Sequence, residues 1–264
     1  VFISLAAFGL IVTLLLTFVV AYVSYYGRLA RPSNPAAAKK IGDELKKIKG
    51  TTVMMVGAHP DDADWYTGGT LLTLHKNGNK VIVVVATSGE KGGNGDGLAK
   101  IREKEQLAAG KILGYDEVVF LRYKDRGLEV NNDFVKRLQN LMNKHNPTVI
   151  LTFDTEKEGY IYRHSDHRAA GEATLKALKG YPHIDDIYFF HSAKATVIFD
   201  ISALNDLKTK ALDAHKSQRN SRFRRIFRYL PARFFRRPSN DRGAQTYKNI
   251  GVEAAELFRK ESFK

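Results

Sequence analysis

The chain contains no cysteine in 264 residues. That excludes a disulfide framework, cysteine-ligated metal sites and a cysteine nucleophile. Acidic residues are also short: 28 Asp and Glu face 42 Lys and Arg, giving a formal charge of +14 and a pI near 9.7. Such a balance implies a polyanionic neighbour, either nucleic acid or an anionic membrane surface. Charge of either sign is missing altogether from Val1 to Gly27. What is present excludes global disorder, because 44% hydrophobic and 11% aromatic residues can build a core.

The uncharged stretch 1–27 is interrupted only by small polar residues such as Ser4, Thr13 and Thr17, and ends in Tyr22, Tyr25 and Tyr26. About 20 apolar residues span a bilayer as a helix, and tyrosines favour its interface, so the expectation is one N-terminal transmembrane helix. A cleaved signal peptide fits less well, since its apolar region is usually about 7–15 residues and follows basic residues. Arg28, Arg31, Lys39, Lys40, Lys46 and Lys47 follow the run and nothing basic precedes it. The positive-inside rule then sets the remaining chain on the cytoplasmic side of a single-pass membrane protein. Residues 28–48, with Pro32 and Pro35, read as a linker to a domain covering 49–264.

Within that domain strand and helix patterns alternate. Strands are expected at 53–58, 80–87, 118–121, 148–153, 187–190 and 196–199, and helices at 69–77, 98–113, 132–145 and 167–179. This order predicts an α/β, Rossmann-like fold, an open and mostly parallel sheet with helices on both faces. Ligands of such folds sit beyond the carboxyl ends of the strands.

Two clusters stand there. The first strand runs into His59-Pro60-Asp61-Asp62, and the fourth ends at Asp154 before a loop carrying Tyr162, His164, Asp166 and His167. His59 and Asp62 can converge on one metal, leaving Asp61 as a base. His164 and His167, three apart at a helix start, can face the same cleft. Two histidines and one aspartate leave a coordination position open, the pattern of a catalytic zinc site. Taken singly, Asp166 reads as an N-cap and Asp61 or Asp62 as turn residues. Gly89–Gly97 fits no phosphate-loop spacing and reads as a substrate-facing loop. Arg102 and Glu105 read equally well as a solvated helix face. Ser217 follows His215 without a nucleophile elbow, and His75, His145, His183 and His191 read as structural or surface residues.

Several motifs occur in order over roughly 51–260: His59-Pro60-Asp61-Asp62 with Gly68-Gly69; Thr87-Ser88-Gly89-Glu90; Arg102-x-x-Glu105; His164-Ser165-Asp166-His167; and His215-Lys216-Ser217-Gln218. Together they resemble the LmbE/PIG-L-like zinc-dependent N-acetylglucosaminyl deacetylases. The resemblance implies zinc, or Fe²⁺, held by His59, Asp62 and His167, with Asp61 as general base and His164 as acid or oxyanion stabiliser. It places Tyr162, Arg102 and Glu90 among the substrate-binding residues, and Ala254–Phe258 looks like the family's closing helix. Ala63 departs from the glutamate many members have there, and Asp64 would supply the acid one place later. The implied substrates are GlcNAc conjugates, including GlcNAc-phosphatidylinositol, GlcNAc-inositol and GlcNAc-malate.

Ten basic residues lie between Lys216 and Arg242, interleaved with Phe223, Phe227, Leu230 and Phe234. Given the N-terminal segment, 216–242 is expected to contact membrane lipid and not nucleic acid. The expectation is therefore a membrane-anchored deacetylase of a lipid-linked GlcNAc conjugate. Its rivals are a deacetylase of a soluble conjugate and a non-catalytic membrane-tethered binding module.

Overall fold

Five consecutive β-branched residues, Val81 to Val85, form the centre of a strand buried on both faces, as an uninterrupted apolar run requires. The computed structural model describes residues 31–93, 95–156, 164–219 and 247–263, with Ala7, Gly9, Leu10, Thr13, Leu14, Thr17 and Phe18 of the N-terminal stretch. In chain order the elements are α1 (Pro35–Lys46), β1 (Thr52–Gly57), α2 (Asp62–Lys76), β2 (Lys80–Thr87), α3 (Leu98–Leu113), β3 (Glu117–Tyr123), α4 (Asn132–His145) and β4 (Val149–Phe153). They continue with α5 (Ser165–Ala177), β5 (Asp186–Phe190), β6 (Val197–Asp200), α6 (Asn205–Ala214), the single turn α7 (Lys216–Arg219) and β7 (Ala255–Ser262).

The sheet order is β3-β2-β1-β4-β5-β7-β6. β1 pairs in parallel with both β2 and β4, in the registers Thr52↔Lys80 and Val53↔Val149. β2–β3 and β4–β5 are also parallel, whereas β7 runs antiparallel to β5 and β6. Helices cover both sides: α2, α3 and α6 pack together, as do α4 and α5. The strand order reverses between β1 and β4, so the loops leaving these strands emerge side by side. That is the switch point where such sheets bind ligands.

Two stretches differ from expectation. Residues 35–46, read as linker, form α1. Pro35 occupies the first helical turn, where its missing N–H is harmless, and Asn34 caps it by accepting from the Ala37 N–H at 3.1 Å. Its buried Gly42 lies so close to β6 that an added Cβ would stand 2.0 Å from the Ile198 carbonyl oxygen. Residues 254–258, read as a closing helix, lie in or beside β7. The helix-forming composition is overridden by antiparallel pairing of Ala255–Phe258 with β6.

No helix among the described residues is long and apolar enough to cross a membrane. Most of the predicted span 1–27, Tyr162 and all but the first four residues of 216–242 lie outside the described residues.

Candidate active site

β1 delivers Ala58 and His59 into a turn that starts α2, and the Asp62 carboxylate closes it by accepting the N–H groups of Ala58 (2.9 Å) and His59 (2.7 Å). Gly57 permits this, since a Cβ there would meet the Asp62 Cβ at 3.1 Å. Between them Asp61 adopts φ 114°, a strained left-handed conformation for a residue with a side chain.

From β4 and α5 come His164 and His167. His59 Nδ1 lies 3.2 Å from His167 Nε2 and 3.6 Å from Asp62 Oδ2, and His167 Nε2 lies 3.5 Å from Asp62 Oδ1. Ligands of a tetrahedral zinc at 2.0–2.1 Å stand about 3.3 Å apart, so this triangle of residues, with Asp62 offering a different oxygen to each histidine, has the dimensions of a metal site. His59 turns its other nitrogen to two carboxylates, Asp125 Oδ1 at 3.3 Å and Asp166 Oδ2 at 3.2 Å. Such partners orient a metal-binding imidazole and fix its tautomer. The His167 ring is stacked on Phe153 at 3.9 Å.

The electrostatics agree with a cation site. Burial opposes charge on His59, yet Asp125, Asp166 and Asp62 overcome it and push its pKa up to about 11. Burial likewise opposes charge on Asp62, but His167 and His59 hold its carboxyl well below the usual range. Asp61 moves the other way: burial raises it, Arg102 opposes and Asp62 adds to the rise, which suits a base. Burial and the charges of His59 and His167 lower His164.

One consequence is measurable without substrate. A metal on His59 Nδ1 must displace the proton that the metal-free cluster holds, so loading is expected to release about one proton per site. Apparent metal affinity should rise up to about tenfold per pH unit between pH 6 and 8; calorimetry in buffers of different ionisation enthalpy counts the proton.

His59, Asp61, Asp62, Tyr66, Arg102 and His167 are among the residues lining a cavity of about 270 Å³ at the switch point. The family model described as GlcNAc-PI de-N-acetylase, PIG-L, matches residues 54–178. A probable N-acetyl-alpha-D-glucosaminyl L-malate deacetylase 2 of Bacillus cereus is 30% identical over 187 residues, covering 63% of this chain and 83% of that protein. This chain belongs to the PIG-L family. The diacetylchitobiose deacetylase of Thermococcus kodakarensis is 27% identical over 202 residues, covering 68% of this chain and 73% of that one. Among solved structures, N,N'-diacetylchitobiose deacetylase from Pyrococcus horikoshii, complexed with its inhibitor MPG, aligns with a TM-score of 0.68 and 26% identity, covering 80% of this chain and 84% of that one. This chain is accordingly an enzyme of a deacetylase family.

Arg102 and Glu90, read as substrate-binding, are both tied into the site's own hydrogen bonds. Arg102 is buried, not on a solvated face. Its guanidinium donates to the Gly89 carbonyl (2.8 Å) and to the Pro60 carbonyl, and lies 3.2 Å from Asp61 Oδ1. It holds the strained turn in place. Glu90 Oε1 accepts the Asp125 N–H at 2.9 Å, while its Oε2 is buried with no hydrogen-bond partner among the described residues. His191, read as a bland residue, stacks on Tyr66 at 5.3 Å. His164, not Asp166, caps α5, with Nδ1 accepting the Asp166 N–H at 3.3 Å. Asp166 instead accepts the N–H groups of Arg126 (2.7 Å) and Leu128 (3.3 Å) as well as facing His59.

A deeper network supports the turn. The Asp61 N–H donates to Gln106 Oε1 at 2.8 Å, and Gln106 Nε2 donates to Asp64 Oδ2 at 3.0 Å. Asp64 also lies 2.6 Å from His215 Nε2 and accepts the Tyr115 hydroxyl at 2.8 Å. The hydroxyl and N–H of Ser217 donate to Glu105, so that serine anchors α7 and Glu105 is not idle.

Gly89 sits at φ +63° against this assembly, and a Cβ there would stand 2.5 Å from an Arg102 guanidinium nitrogen. Gly89→Ala is therefore expected to lower stability by about 1–2 kcal/mol and to reduce turnover at least about tenfold by displacing Arg102 from the Asp61 turn. Thermal unfolding and steady-state kinetics on the same preparation check both effects.

Proposed function

We propose that this protein hydrolyses the N-acetyl amide of a GlcNAc conjugate with a small aglycone, of the GlcNAc-malate, GlcNAc-inositol or chito-oligosaccharide kind. The observation that carries the reading is the His59–Asp62–His167 triangle with a pKa-raised Asp61 beside it in one cavity. The names of the relatives point the same way.

We assign the metal to His59, Asp62 and His167, with zinc as the first candidate and Fe²⁺ as the second. When bound, it supplies Lewis-acid polarisation of the amide carbonyl and acidifies water. Asp61 accepts a proton from the attacking water as its oxygen bonds to the acyl carbon. Arg102 and Gln106 keep that carboxylate at the attack point. His164 lines the same cavity, its ring centroid 4.6 Å from that of His59, to hydrogen-bond the developing oxyanion. The C–N bond then breaks as the amine takes the proton that Asp61 received, and acetate leaves.

A second reading keeps a lipid-linked conjugate such as GlcNAc-phosphatidylinositol as substrate. It is favoured by the uncharged 27-residue start of the chain, which we propose as a single transmembrane anchor with the enzyme on the cytoplasmic side, and by the basic segment 216–242 as a lipid contact. The full chain, purified in detergent, is to be assayed for free amine release from GlcNAc-malate, GlcNAc-inositol, N,N'-diacetylchitobiose and GlcNAc-phosphatidylinositol. Release that chelator abolishes and zinc restores supports the deacetylase, and the ratio between soluble and lipid substrates chooses the reading. Bound metal with no release from any of the four would refute both.

A further inference from the structure

Three arginines line the catalytic cavity and a neighbouring one of about 450 Å³ that meets it at His164. Two are committed. Arg102 is buried and holds the Asp61 turn, and Arg168 Nε lies 3.0 Å from Glu172 Oε1. Arg126 is different: it lines the catalytic cavity, is exposed, and has no ion pair among the described residues.

The backbone shows that this placement is built. Arg126 has φ 58°, a left-handed conformation that a side chain disfavours, although a glycine stands next to it at Gly127. Its N–H is held by Asp166 at 2.7 Å, and the preceding Asp125 N–H by Glu90 at 2.9 Å. Asp166 also faces His59, as does the carboxylate of Asp125 itself. The strain therefore sets one guanidinium at the rim of the reaction cavity, in fixed register with the site.

Resting on the deacetylase reading above, we propose that Arg126 recognises a negative charge on the substituent of the sugar, a carboxylate or a phosphodiester near the glycosidic oxygen. The acetamide of GlcNAc is on C2, so with its carbonyl at the metal ligands the substituent on neighbouring C1 emerges at the rim of the same cavity. A guanidinium binds carboxylate or phosphate oxygens in a two-pronged fork that a neutral polyol does not match in charge. The cavity also holds Asp61, Asp62 and Asp125, so an anion entering it needs a cation of its own.

The test compares the full chain with Arg126→Ala and Arg126→Gly on two anionic substrates, GlcNAc-malate and GlcNAc-phosphatidylinositol in mixed micelles, and two neutral ones, GlcNAc-inositol and N,N'-diacetylchitobiose. Either variant is expected to raise KM for an anionic substrate about thirtyfold with little change in kcat, and to change the neutral pair less than about threefold. The larger effect identifies the source of the charge: malate for carboxylates, the inositol lipid for a phosphodiester. Arg126→Gly also relaxes the backbone, so its Tm should equal or exceed that of the parent while anion recognition is lost, which a merely structural arginine would not show. Equal losses on all four substrates, or none on the anionic pair, would overturn the proposal. Turnover of the neutral pair alone by the parent leaves the deacetylase standing and removes this inference; no turnover of any substrate removes both.

Discussion

Replacing Asp61 by asparagine is expected to lower kcat by about three orders of magnitude while leaving the bound metal at one equivalent. General-base catalysis contributes about 10²–10⁴-fold, most where the pKa of the base is raised toward the working pH. Asp61 is partly buried, and its desolvation lifts the carboxyl while Asp62 adds to the rise against the opposing Arg102. Asparagine keeps the shape but cannot accept the proton. The backbone anchor, Asp61 N–H to Gln106, does not involve the side chain and should survive. Metal analysis beside single-turnover kinetics separates this outcome from its rival. Loss of metal together with activity would show that Asp61 is a ligand and not the base. An undiminished rate would remove it from the chemistry.

The contrast with His167→Ala sharpens the assignment. His167 Nε2 is one corner of the ligand triangle, 3.5 Å from Asp62 and 3.2 Å from His59. Its removal is expected to take metal and turnover away together, whereas Asp61→Asn should uncouple them.

How much of this was readable beforehand depended on how local the determinant was. β2 was read to the residue from its β-branched run, and α3 and α4 to the residue from their periodicity, with glycines in left-handed geometry at both ends of α3 and Asn131 capping α4. The triangle was readable because each half of it is a short motif just past a strand. β7 was not, because Ala-Glu-Leu-Phe becomes a strand only through pairing with β6, about 55 to 60 residues away, and the rest of β7 through pairing with β5. α1 was missed because Pro35 suggested a break, although a proline suits a first turn. Asp125 was missed for a related reason: Asp-Arg-Gly reads as an ordinary turn, and only the fold brings its carboxylate 3.3 Å from His59. Likewise, Arg102, read as substrate-binding, and Glu105 were equally compatible with a solvated helix face, and it is the 89–92 loop and α7 that cover them.

Asp64→Ala is expected to be the most destabilising single change near the site, at about 3–5 kcal/mol, the range for removing one partner of a buried ion pair. Asp64 and His215 are both buried, 2.6 Å apart, with Tyr115 and Gln106 donating to the same carboxylate. Without Asp64, three donors lose their acceptor at once. At about 2–4 °C per kcal/mol for a domain of this size, Tm should fall by roughly 10 °C. The pH dependence supplies a sign. Burial opposes charge on His215, but the hydrogen bond and charge of Asp64 prevail and raise its pKa above the ordinary 6.5. A raised histidine stabilises the fold fully below pH 6.5, and that stabilisation is lost as pH rises through the folded-state value. Asp64→Asn should flatten this slope while keeping the shape, so urea titrations at several pH values distinguish lost charge from lost packing. A variant as stable as the parent, with the same slope, would mean that His215 is neutral and the pair an ordinary hydrogen bond. Kinetics complete the argument. Asp64 is linked by hydrogen bonds to the Asp61 backbone through Gln106, so kcat should fall with the metal still bound, and Gln106→Ala should reproduce the kinetic loss without the pH effect.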